Sequence, residues 1–369
     1  MNSANRFAAI LTVCAVGSAA APLSFSPELA SGGGKAPLQL RDGSIIAARY
    51  EALPTGKGVC VSCYRSAHLG KTWQAYSIIA QDDDPRADIG DGHLMMLPSG
   101  DILYSYRHNH CRGRSARDKS FSIEVAVSRD QGKTWKHHST VASAANTDFG
   151  LWSSFLLAKR DGTLQCYYDD EQTPSANNLP RHQWITMKTW NPRSRRWENP
   201  VTVSRASGDK LSRDGMCSVV EVSPGHLICA CEGVQEAPPH RGCLYIVESA
   251  DGGRSWSGRG KLYEPKNTDF NALAPWMVRF GGLLVVVFTT DEDRKEPTAP
   301  HTGRLYQDVK YITSADDGKT WSDPMLIDDQ VPDFYPGACV VWDKARSQKL
   351  LVQYSRGWGH YCRLGQLAK

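Results

Sequence analysis

Several features that mark common protein classes are scarce in this sequence of 369 residues. Basic residues form no stripe and the formal net charge is only +4, which argues against nucleic acid as a partner. Helical periodicity is almost absent along the chain. Beyond Ala30 no apolar run is long enough to cross a membrane, so we expect a strand-rich globular protein.

The N-terminal segment up to Ala30 has the pattern of an export signal. Arg6 supplies a positive start, Phe7–Ala20 is an apolar run, and small residues follow at Ser18–Ala21. An uncleaved anchor or a disordered tail is the alternative explanation. We expect residues 1–30 to be a signal peptide and flexible start, residues 31–369 to be one domain, and the mature protein to be secreted or periplasmic without a membrane partner.

Eleven cysteines are present, and ten remain if Cys14 leaves with the signal. An exported protein can pair cysteines, but we expect most to be buried free thiols, with one or two disulfides left open. Cys60 and Cys63 form a CxxC pair without a second pair at the usual spacing, which argues against a zinc site. The sequence therefore implies no metal and no cofactor.

A short box that runs from Ser through Asp and Gly to Trp recurs along the chain. Clear copies are Ser128–Trp135, Ser249–Trp256 and Ser314–Trp321; Ser66–Trp73 has His in place of Asp, and a worn copy ends at Trp197. The final tryptophans follow one another at a nearly constant step along the chain. Such a step, in a strand-rich chain, predicts a β-propeller with one four-stranded blade per repeat. We expect each box aspartate to hold a hairpin turn and to take no part in catalysis.

Glycine-containing turns repeat independently of the boxes. Gly43, Gly100, Gly162, Gly225 and Gly282 lie between apolar runs at steps of about 60 residues, as in a series of hairpins. The five boxes and a further blade without a box near the C-terminus predict an all-β, six-bladed β-propeller. We expect the N- and C-terminal segments to meet and close the ring.

Two glutamates at the ends of predicted strands are the main catalytic candidates. Glu171 ends the run Gln165–Glu171, and Glu232 follows the run Leu227–Cys231. The step from one glutamate to the other matches the step between successive boxes, which indicates almost equivalent positions on adjacent blades. Two neighbouring carboxyl groups, one protonated and one ionised, are what a glycosidase requires. Two surface acids with cations nearby are the alternative explanation.

Short motifs in two successive predicted blades add to this pattern. They are Gly150-Leu151-Trp152, Tyr167-Tyr168 followed by Glu171, and Gly215-Met216 upstream of Glu232. In residue type and spacing they resemble glycoside hydrolase family 93, the exo-1,5-α-L-arabinanases, and the boxes resemble the Asp boxes of the wider sialidase-like superfamily. The resemblance covers essentially the whole mature chain and implies a sialidase-like propeller.

The resemblance also implies a retaining exo-glycosidase that acts on arabinan or a similar oligo- or polysaccharide. Glu171 would be the acid/base and Glu232 the nucleophile, and Tyr335 would assist near the anomeric centre by a hydrogen bond to the nucleophile. The sugar subsites would be lined by Asp91, Arg107, Trp152, Tyr168 and Arg213. Without the resemblance, the two arginines have the alternative of structural salt bridges, and Tyr335 that of an ordinary strand residue.

Four stretches depart from the family pattern at positions expected to face the central funnel. Trp152-Ser153-Ser154-Phe155 replaces a Trp-Glu-Pro-Phe sequence, and Asp91-Gly92 replaces an Asn-Pro-like step. Met216-Cys217 replaces Met-Pro, and Gly34-Lys35-Ala36 replaces a Tyr-Pro-Arg-like motif. These departures put the identity of the sugar in doubt more than the fold or the carboxylate pair.

Two other functions remain open. A sialidase shares the fold and uses a tyrosine nucleophile activated by a glutamate, with an aspartate as acid; Tyr335, Glu232 and either Asp88 or Asp91 would supply these groups. The arginine triad of sialidases is harder to find, because no Arg-Ile-Pro motif occurs near the N-terminus. A non-catalytic carbohydrate-binding propeller is the third function. A monomer is expected in each case.

Overall fold

The computed structural model describes residues 22–31, 33–208, 210–235, 242–297, 307–357 and 359–368. Two short strands come first, at Leu23–Phe25 (β1) and Leu29–Ser31 (β2). Most of the predicted export signal, residues 1–21, lies outside the described residues. Within them, no helix has both the length and the apolar character needed to span a membrane.

The first three blades are four-stranded antiparallel sheets. Blade 1 comprises Lys35–Gln39 (β3), Ile45–Ala52 (β4), Val59–Ser66 (β5) and Gln74–Asp82 (β6). Blade 2 comprises Asp88–Met96 (β7), Ile102–Asn109 (β8), Ser120–Ser128 (β9) and Lys136–Ala145 (β10). Blade 3 comprises Leu151–Ala158 (β11), Leu164–Asp170 (β12), Trp184–Asn191 (β13) and Arg196–Ser204 (β14). A short helix, Gln172–Ala176 (α1), follows β12, and a 3-10 turn at Ala116–Asp118 precedes β9.

The last two blades share one long strand. Blade 4 comprises Ser212–Ser223 (β15), His226–Gln235 (β16), Gly242–Ser249 (β17) and Ser257–Tyr263 (β18). Blade 5 comprises Ala272–Phe280 (β19), Leu283–Thr290 (β20), Gln307–Ser314 (β21) and the first part of Met325–Trp342 (β22). Blade 6 comprises the second part of β22, then Gln348–Arg356 (β23), Gly359–Leu367 (β24) and the N-terminal strands. The predicted all-β, six-bladed propeller is confirmed.

The N-terminal strands close the ring by pairing with the C-terminal strand. Both β1 and β2 pair antiparallel with β24, and Leu23 is buried. Between these two strands, the Glu28 carboxylate accepts hydrogen bonds from Arg356 and from the Tyr354 hydroxyl, each at 2.9 Å. Residues 23–31, which the sequence analysis assigned mostly to the flexible start, therefore pair with the last strand of the propeller.

The boxes form one repeated turn. In Ser128–Trp135 the Asp130 carboxylate accepts hydrogen bonds from the backbone N–H and the hydroxyl of Thr134, at 2.9 and 2.6 Å. The same two bonds recur at the same lengths in Ser249–Trp256 and Ser314–Trp321. The hydrogen bonds from Thr134 lower the pKa of Asp130 to about 2. The aspartate therefore serves the turn, as the sequence predicts.

The apolar core lies between neighbouring blades. Side chains alternate along β16, so Ile228 packs toward blade 5 with Phe288, whereas Cys229 and Cys231 pack toward blade 3. Burial of a side chain as large as isoleucine or phenylalanine contributes about 1.5–3 kcal/mol. All ten cysteines in the described part of the chain are free thiols, and most are buried. The interfaces between blades thus supply the stability that holds the ring.

Deleting residues 2–31 should open the ring. The deletion exposes the edge of β24 and removes the burial of Leu23 and Phe25, which we expect to lower the free energy of unfolding by about 3–5 kcal/mol. Urea denaturation followed by tryptophan fluorescence measures the change. A control deletion of residues 2–21 should leave the midpoint unchanged, and equal midpoints for the two deletions would contradict the closing role of β1 and β2.

Candidate active site

In every blade, the inner strand loses its regular pairing with the second strand near the point where this pairing begins, and in blade 4 a second irregularity follows between Glu221 and Ser223. The interruptions lie between Lys35 and Leu38, Gly90 and His93, Leu151 and Ser154, Gly215 and Ser218, Leu273 and Trp276, and Phe334 and Gly337. Four of them hold a residue with a positive φ of 50–52°: Asp91, Met216, Ala274 and Tyr335. A bulge turns a side chain out of its sheet. Here bulges bring groups from different blades together in a central funnel.

Asp91 joins three blades in this funnel. Its carboxylate accepts hydrogen bonds from Lys35 of blade 1 at 2.7 Å, from Arg107 of blade 2 at 2.7 Å and from Ser153 of blade 3 at 2.6 Å. Burial acts to raise the pKa of Asp91, but the charges of Lys35 and Arg107 outweigh it and hold the pKa well below its ordinary value. Asp91 therefore stays ionised. Arg107 also pairs with Asp88 at 3.0 Å.

Glu232 and Asp169 form a second acidic group beside this network. Burial raises the pKa of Glu232 and the charge of Asp91 adds to it, although the Ala274 N–H donates to Glu232 Oε2 at 2.6 Å. Asp169 is 3% exposed, and burial together with the charge of Glu232 raises its pKa well above the ordinary value, although the Met216 N–H donates to it at 3.2 Å. Two interacting acids resist double ionisation. Because Asp169 is the more deeply buried, Glu232 is the one that ionises first.

Tyr335 extends over the same cluster from blade 6. The residue is 45% exposed, and Lys35 Nζ lies 5.7 Å from the centroid of its ring. Desolvation of the hydroxyl and the charges of Asp91 and Glu232 raise the pKa of Tyr335 to about 12. The phenol is therefore neutral, accessible from solvent and close to both acids.

An aromatic layer packs beside the charged groups. His93 stacks on Phe155 with ring centroids 4.0 Å apart and meets the edge of Trp276 at 5.3 Å. Burial lowers the pKa of His93 to about 3, so the imidazole is neutral. Lys35 Nζ lies 5.8 Å from the Trp276 ring and links this layer to the acidic cluster. The charged groups thus have a packed support from blades 2, 3 and 5.

Glu171 lies outside this cluster, one residue beyond the end of β12. Its Oε1 accepts a hydrogen bond from Arg213 at 2.8 Å, and its Oε2 accepts one from the Gly150 N–H at 2.7 Å. Trp152 covers the same glycine, since a Cβ at Gly150 would meet its ring at 2.3 Å. Glu171, Arg213 and Trp152, all predicted site residues, therefore form a group separate from the funnel cluster. In the described part of the chain, no contact joins the carboxyl groups of Glu171 and Glu232.

Tyr168 occupies a place that differs from the prediction. It is 3% exposed and packs between blades 2 and 3 in a cluster with Ile123 and Trp197. Alternation along β12 turns Tyr168 toward blade 2 and Asp169 toward blade 4. A side chain this deeply buried has almost no surface to offer a sugar, so Tyr168 is better explained as a core residue.

Sequence reasoning overlooked Lys35, Ser153 and Asp169 as site residues. Lys35 and Ser153 stand where the chain departs from the pattern that it resembles, so the departures themselves were a signal. Asp169 is the first of three consecutive acids, and only strand alternation distinguishes them. The second, Asp170, is 2% exposed and accepts the Thr173 N–H at 3.0 Å in the first turn of α1.

Comparison with known proteins gives matches among solved structures; no family model and no curated protein matches the sequence. An α-L-arabinanase of Penicillium chrysogenum complexed with arabinobiose has a TM-score of 0.66 at 17% identity, over 93% of this chain and 98% of that chain. The α-L-arabinofuranosidase Arb93A of Fusarium graminearum also has a TM-score of 0.66 at 17% identity, over 93% of this chain and 98% of that chain. The NanB sialidase of Streptococcus pneumoniae gives 0.58 at 10% identity, over 92% of this chain and 68% of that chain.

Because the sequence identities are only 10–17%, the structural similarity establishes the fold alone. The chain has the sialidase-like propeller fold, and the arabinanase structures match it over nearly the full length of both chains. The resemblance to glycoside hydrolase family 93 inferred from the motifs is therefore confirmed at the level of the fold.

Replacing Asp169 by Asn should change how stability depends on pH. Since the folded-state pKa of Asp169 is raised above the unfolded value of about 3.9, the native state holds a proton that the unfolded state releases. The stability that protonated Asp169 contributes is complete below the unfolded-state pKa and is lost as the pH rises through the folded-state pKa. We expect the Tm of Asp169→Asn to increase relative to that of the wild type as the pH rises from 4 to 8. Parallel curves from calorimetry would contradict this.

Proposed function

We propose that the protein is a retaining exo-glycosidase of the exo-1,5-α-L-arabinanase type, which removes units from the end of an oligo- or polysaccharide. The observation that carries the proposal is the acidic cluster of the funnel, whose pKa values are pushed apart. Lys35 and Arg107 keep Asp91 ionised, while burial and like charge raise the pKa of Glu232 and Asp169. Carboxyl groups with separated pKa values are what glycoside cleavage uses.

Glu232 is the nucleophile in this proposal. Its carboxylate attacks the anomeric carbon and forms a glycosyl-enzyme, which water then hydrolyses. Asp169 keeps the proton of the pair, and the Ala274 N–H holds Glu232 Oε2 at 2.6 Å. A carboxylate that is held in place and ionises first is suited to nucleophilic attack. In this proposal the neutral Tyr335, whose pKa responds to the charge of Glu232, donates a hydrogen bond to the nucleophile during the reaction.

Glu171 is the acid/base. It gives a proton to the leaving oxygen in the first step and takes one from water in the second. In the free protein its Oε1 accepts a hydrogen bond from Arg213 at 2.8 Å. The Arg213 side chain is 38% exposed, which leaves it room to move when a saccharide enters. We infer that the substrate displaces this ion pair and brings Glu171 to the glycosidic oxygen.

The contact between Asp91 and Ser153 bears on which sugar is bound. The pattern that the chain resembles has an Asn-Pro-like step at Asp91 and a glutamate at Ser153. Here the acid is at Asp91, and the Ser153 hydroxyl donates to it at 2.6 Å. The family pattern has its acid on blade 3, whereas this chain has its acid, Asp91, on blade 2. The charges of Lys35 and Arg107 compensate that of Asp91. This departure leaves the identity of the sugar open. We propose that the substrate is the end of a glycan chain, and linear 1,5-α-L-arabinan is the first to test because the motifs resemble those of arabinanases.

A sialidase-like use of the funnel is the second candidate, and the place of Tyr335 favours it. The charges of Asp91 and Glu232 act on Tyr335, and these are the acids that a tyrosine nucleophile would use. Against it, Lys35 is the cation that the N-terminal blade contributes, where a sialidase has an arginine. The arabinanase match has the higher TM-score, 0.66 against 0.58 for the sialidase match, which supports the first candidate.

The proposal includes export and a monomeric state. The apolar run of residues 7–20 after Arg6 supports export to the periplasm or the medium, where polysaccharide ends are available. One chain contributes all the groups of the funnel cluster, so no second copy is needed to complete it.

Product analysis with linear 1,5-α-L-arabinan tests the proposal. The wild type should release arabinose or arabinobiose. Glu232→Gln should lower kcat by more than about 10⁴-fold because it removes the nucleophile, and Glu171→Gln by about 10²–10⁴-fold because it removes the acid/base. Glu248→Gln, which replaces an acid 46% exposed and paired with His226, is the matched control and should keep full activity. Chromatography of the released sugars measures all four proteins.

The size of the loss in Tyr335→Phe separates the two candidates. If Tyr335 assists Glu232, the loss should be about 10–100-fold, the worth of one hydrogen bond to a charged group. If it is the nucleophile, turnover should cease and the wild type should cleave a sialoside. No product from arabinan, a sialoside or a wider glycan panel would contradict the glycosidase proposal and favour a non-catalytic carbohydrate-binding propeller.

A further inference from the structure

One face of β8 carries four rings in a row at the interface of blades 1 and 2. Tyr104, Tyr106, His108 and His110 alternate along the strand and just past its end, with ring centroids 5.8, 6.4 and 5.3 Å apart. The two tyrosines are buried among apolar side chains of both blades. The histidines continue the row to the open end of the interface, where their side chains are 28% and 29% exposed.

The carboxylate of Asp82, at the end of β6 in blade 1, faces both imidazoles. Its Oδ2 lies 2.7 Å from Nε2 of His108 and 3.1 Å from Nε2 of His110. Two nitrogens and one oxygen therefore converge, and the three candidate ligand atoms lie within 4.8 Å of one another. In a tetrahedral site with metal–ligand distances of roughly 2.0–2.2 Å, neighbouring ligand atoms are roughly 3.3–3.6 Å apart. Small side-chain shifts would thus admit an ion.

Neighbouring groups orient these side chains. The Asp84 N–H donates to Asp82 Oδ1 at 2.7 Å, which turns Oδ2 toward the histidines. The Asp84 carboxylate lies 3.8 Å from Nδ1 of His110 and is itself held by Arg114 at 2.6 Å. At 3.8 Å the Asp84 carboxylate is too far from His110 for a hydrogen bond, but it places a negative charge behind the far nitrogen, where a carboxylate commonly supports a metal-bound histidine.

This arrangement differs from the pair that an exposed histidine forms elsewhere in the protein. His137 with Glu124 shows what a surface histidine–carboxylate pair looks like in this protein: one imidazole, 59% exposed, meets one acid at 2.9 Å. At Asp82 two imidazoles meet the same oxygen atom, and the Asp82 side chain is only 15% exposed. Three candidate ligand atoms from two blades therefore lie within 4.8 Å of one another, close enough for small side-chain rotations to place them around one ion.

We propose that Asp82, His108 and His110 bind one divalent transition-metal ion, with Zn²⁺ the best fit. Two imidazole nitrogens and one carboxylate oxygen suit zinc and leave a coordination position for water. The histidines also line a surface cavity of about 330 Å³, which gives this position access to solvent. The ion ties the end of β6 in blade 1 to the end of β8 in blade 2.

The metal site is separate from the funnel but shares a strand with it. Arg107 precedes His108 on β8, turns to the other face and pairs with Asp88 and Asp91. An ion that fixes His108 therefore also steadies the strand that positions Arg107. The site does not depend on the proposed glycosidase function, so its test measures binding and not turnover.

Calorimetric titration of the chelator-treated protein with Zn²⁺ tests the site. The wild type should bind one Zn²⁺ per chain, and His108→Gln and His110→Gln should each weaken binding by at least about tenfold. His137→Gln is the matched control, because it removes an imidazole that meets a single acid, and should bind as the wild type does. Titration with Co²⁺ should give the visible absorption of a low-coordinate cobalt site in the wild type and lose it in both variants.

Further measurements guard against loss of fold. Circular dichroism checks each variant, and Asp82→Asn tests the third ligand while both histidines remain. Zinc should also slow amide hydrogen exchange of the wild type in residues 82–88 and 107–111. Absence of a saturable site in the wild type, or equal affinity in the wild type and the three variants, would overturn the proposal.

Discussion

The funnel depends on one backbone constraint, the loss of regular pairing in the inner strand of each blade. A regular strand directs alternate side chains into the two neighbouring blades, where the apolar core lies. The positive φ of Asp91, Met216, Ala274 and Tyr335 takes these positions out of that alternation. Such a conformation costs roughly 1–3 kcal/mol at a residue other than glycine, and the packed interfaces between blades maintain it. The charged and polar groups of the funnel therefore gather where the strands are interrupted.

Charge balance decides what these groups can do. A buried carboxylate without a partner is strongly destabilising, and the funnel meets this constraint in two ways. Asp91 stays charged because Lys35 and Arg107 compensate it, whereas burial keeps Asp169 protonated. The pKa of Glu232 lies between those of Asp91 and Asp169: burial and the charge of Asp91 raise it, while a hydrogen bond from the Ala274 N–H lowers it. One fixed charge and one held proton beside an ionisable carboxylate suit the chemistry of glycoside cleavage.

The fold was predictable from repetition, since the box tryptophans and the turn glycines report the same period twice. Glu232 was also within reach as a candidate, because it follows an apolar run in a recognisable motif, and Tyr335 was named by the resemblance to glycoside hydrolase family 93. Asp169 was not within reach, because the step between blades selected Glu171 and only the register of β12 separates the two acids. Lys35 contacts a partner far along the chain in another blade. Contacts of this kind depend on how blades face one another, and no pattern in the chain specifies that.

The most direct test of the account is a crystal structure of the Glu232→Gln protein with an arabino-oligosaccharide. We expect a terminal sugar in the funnel, with its anomeric carbon facing the side chain at position 232 and the Tyr335 hydroxyl, and with Arg213 displaced from Glu171. A saccharide bound only on the outer face of a blade, with the Arg213–Glu171 pair intact, would contradict it.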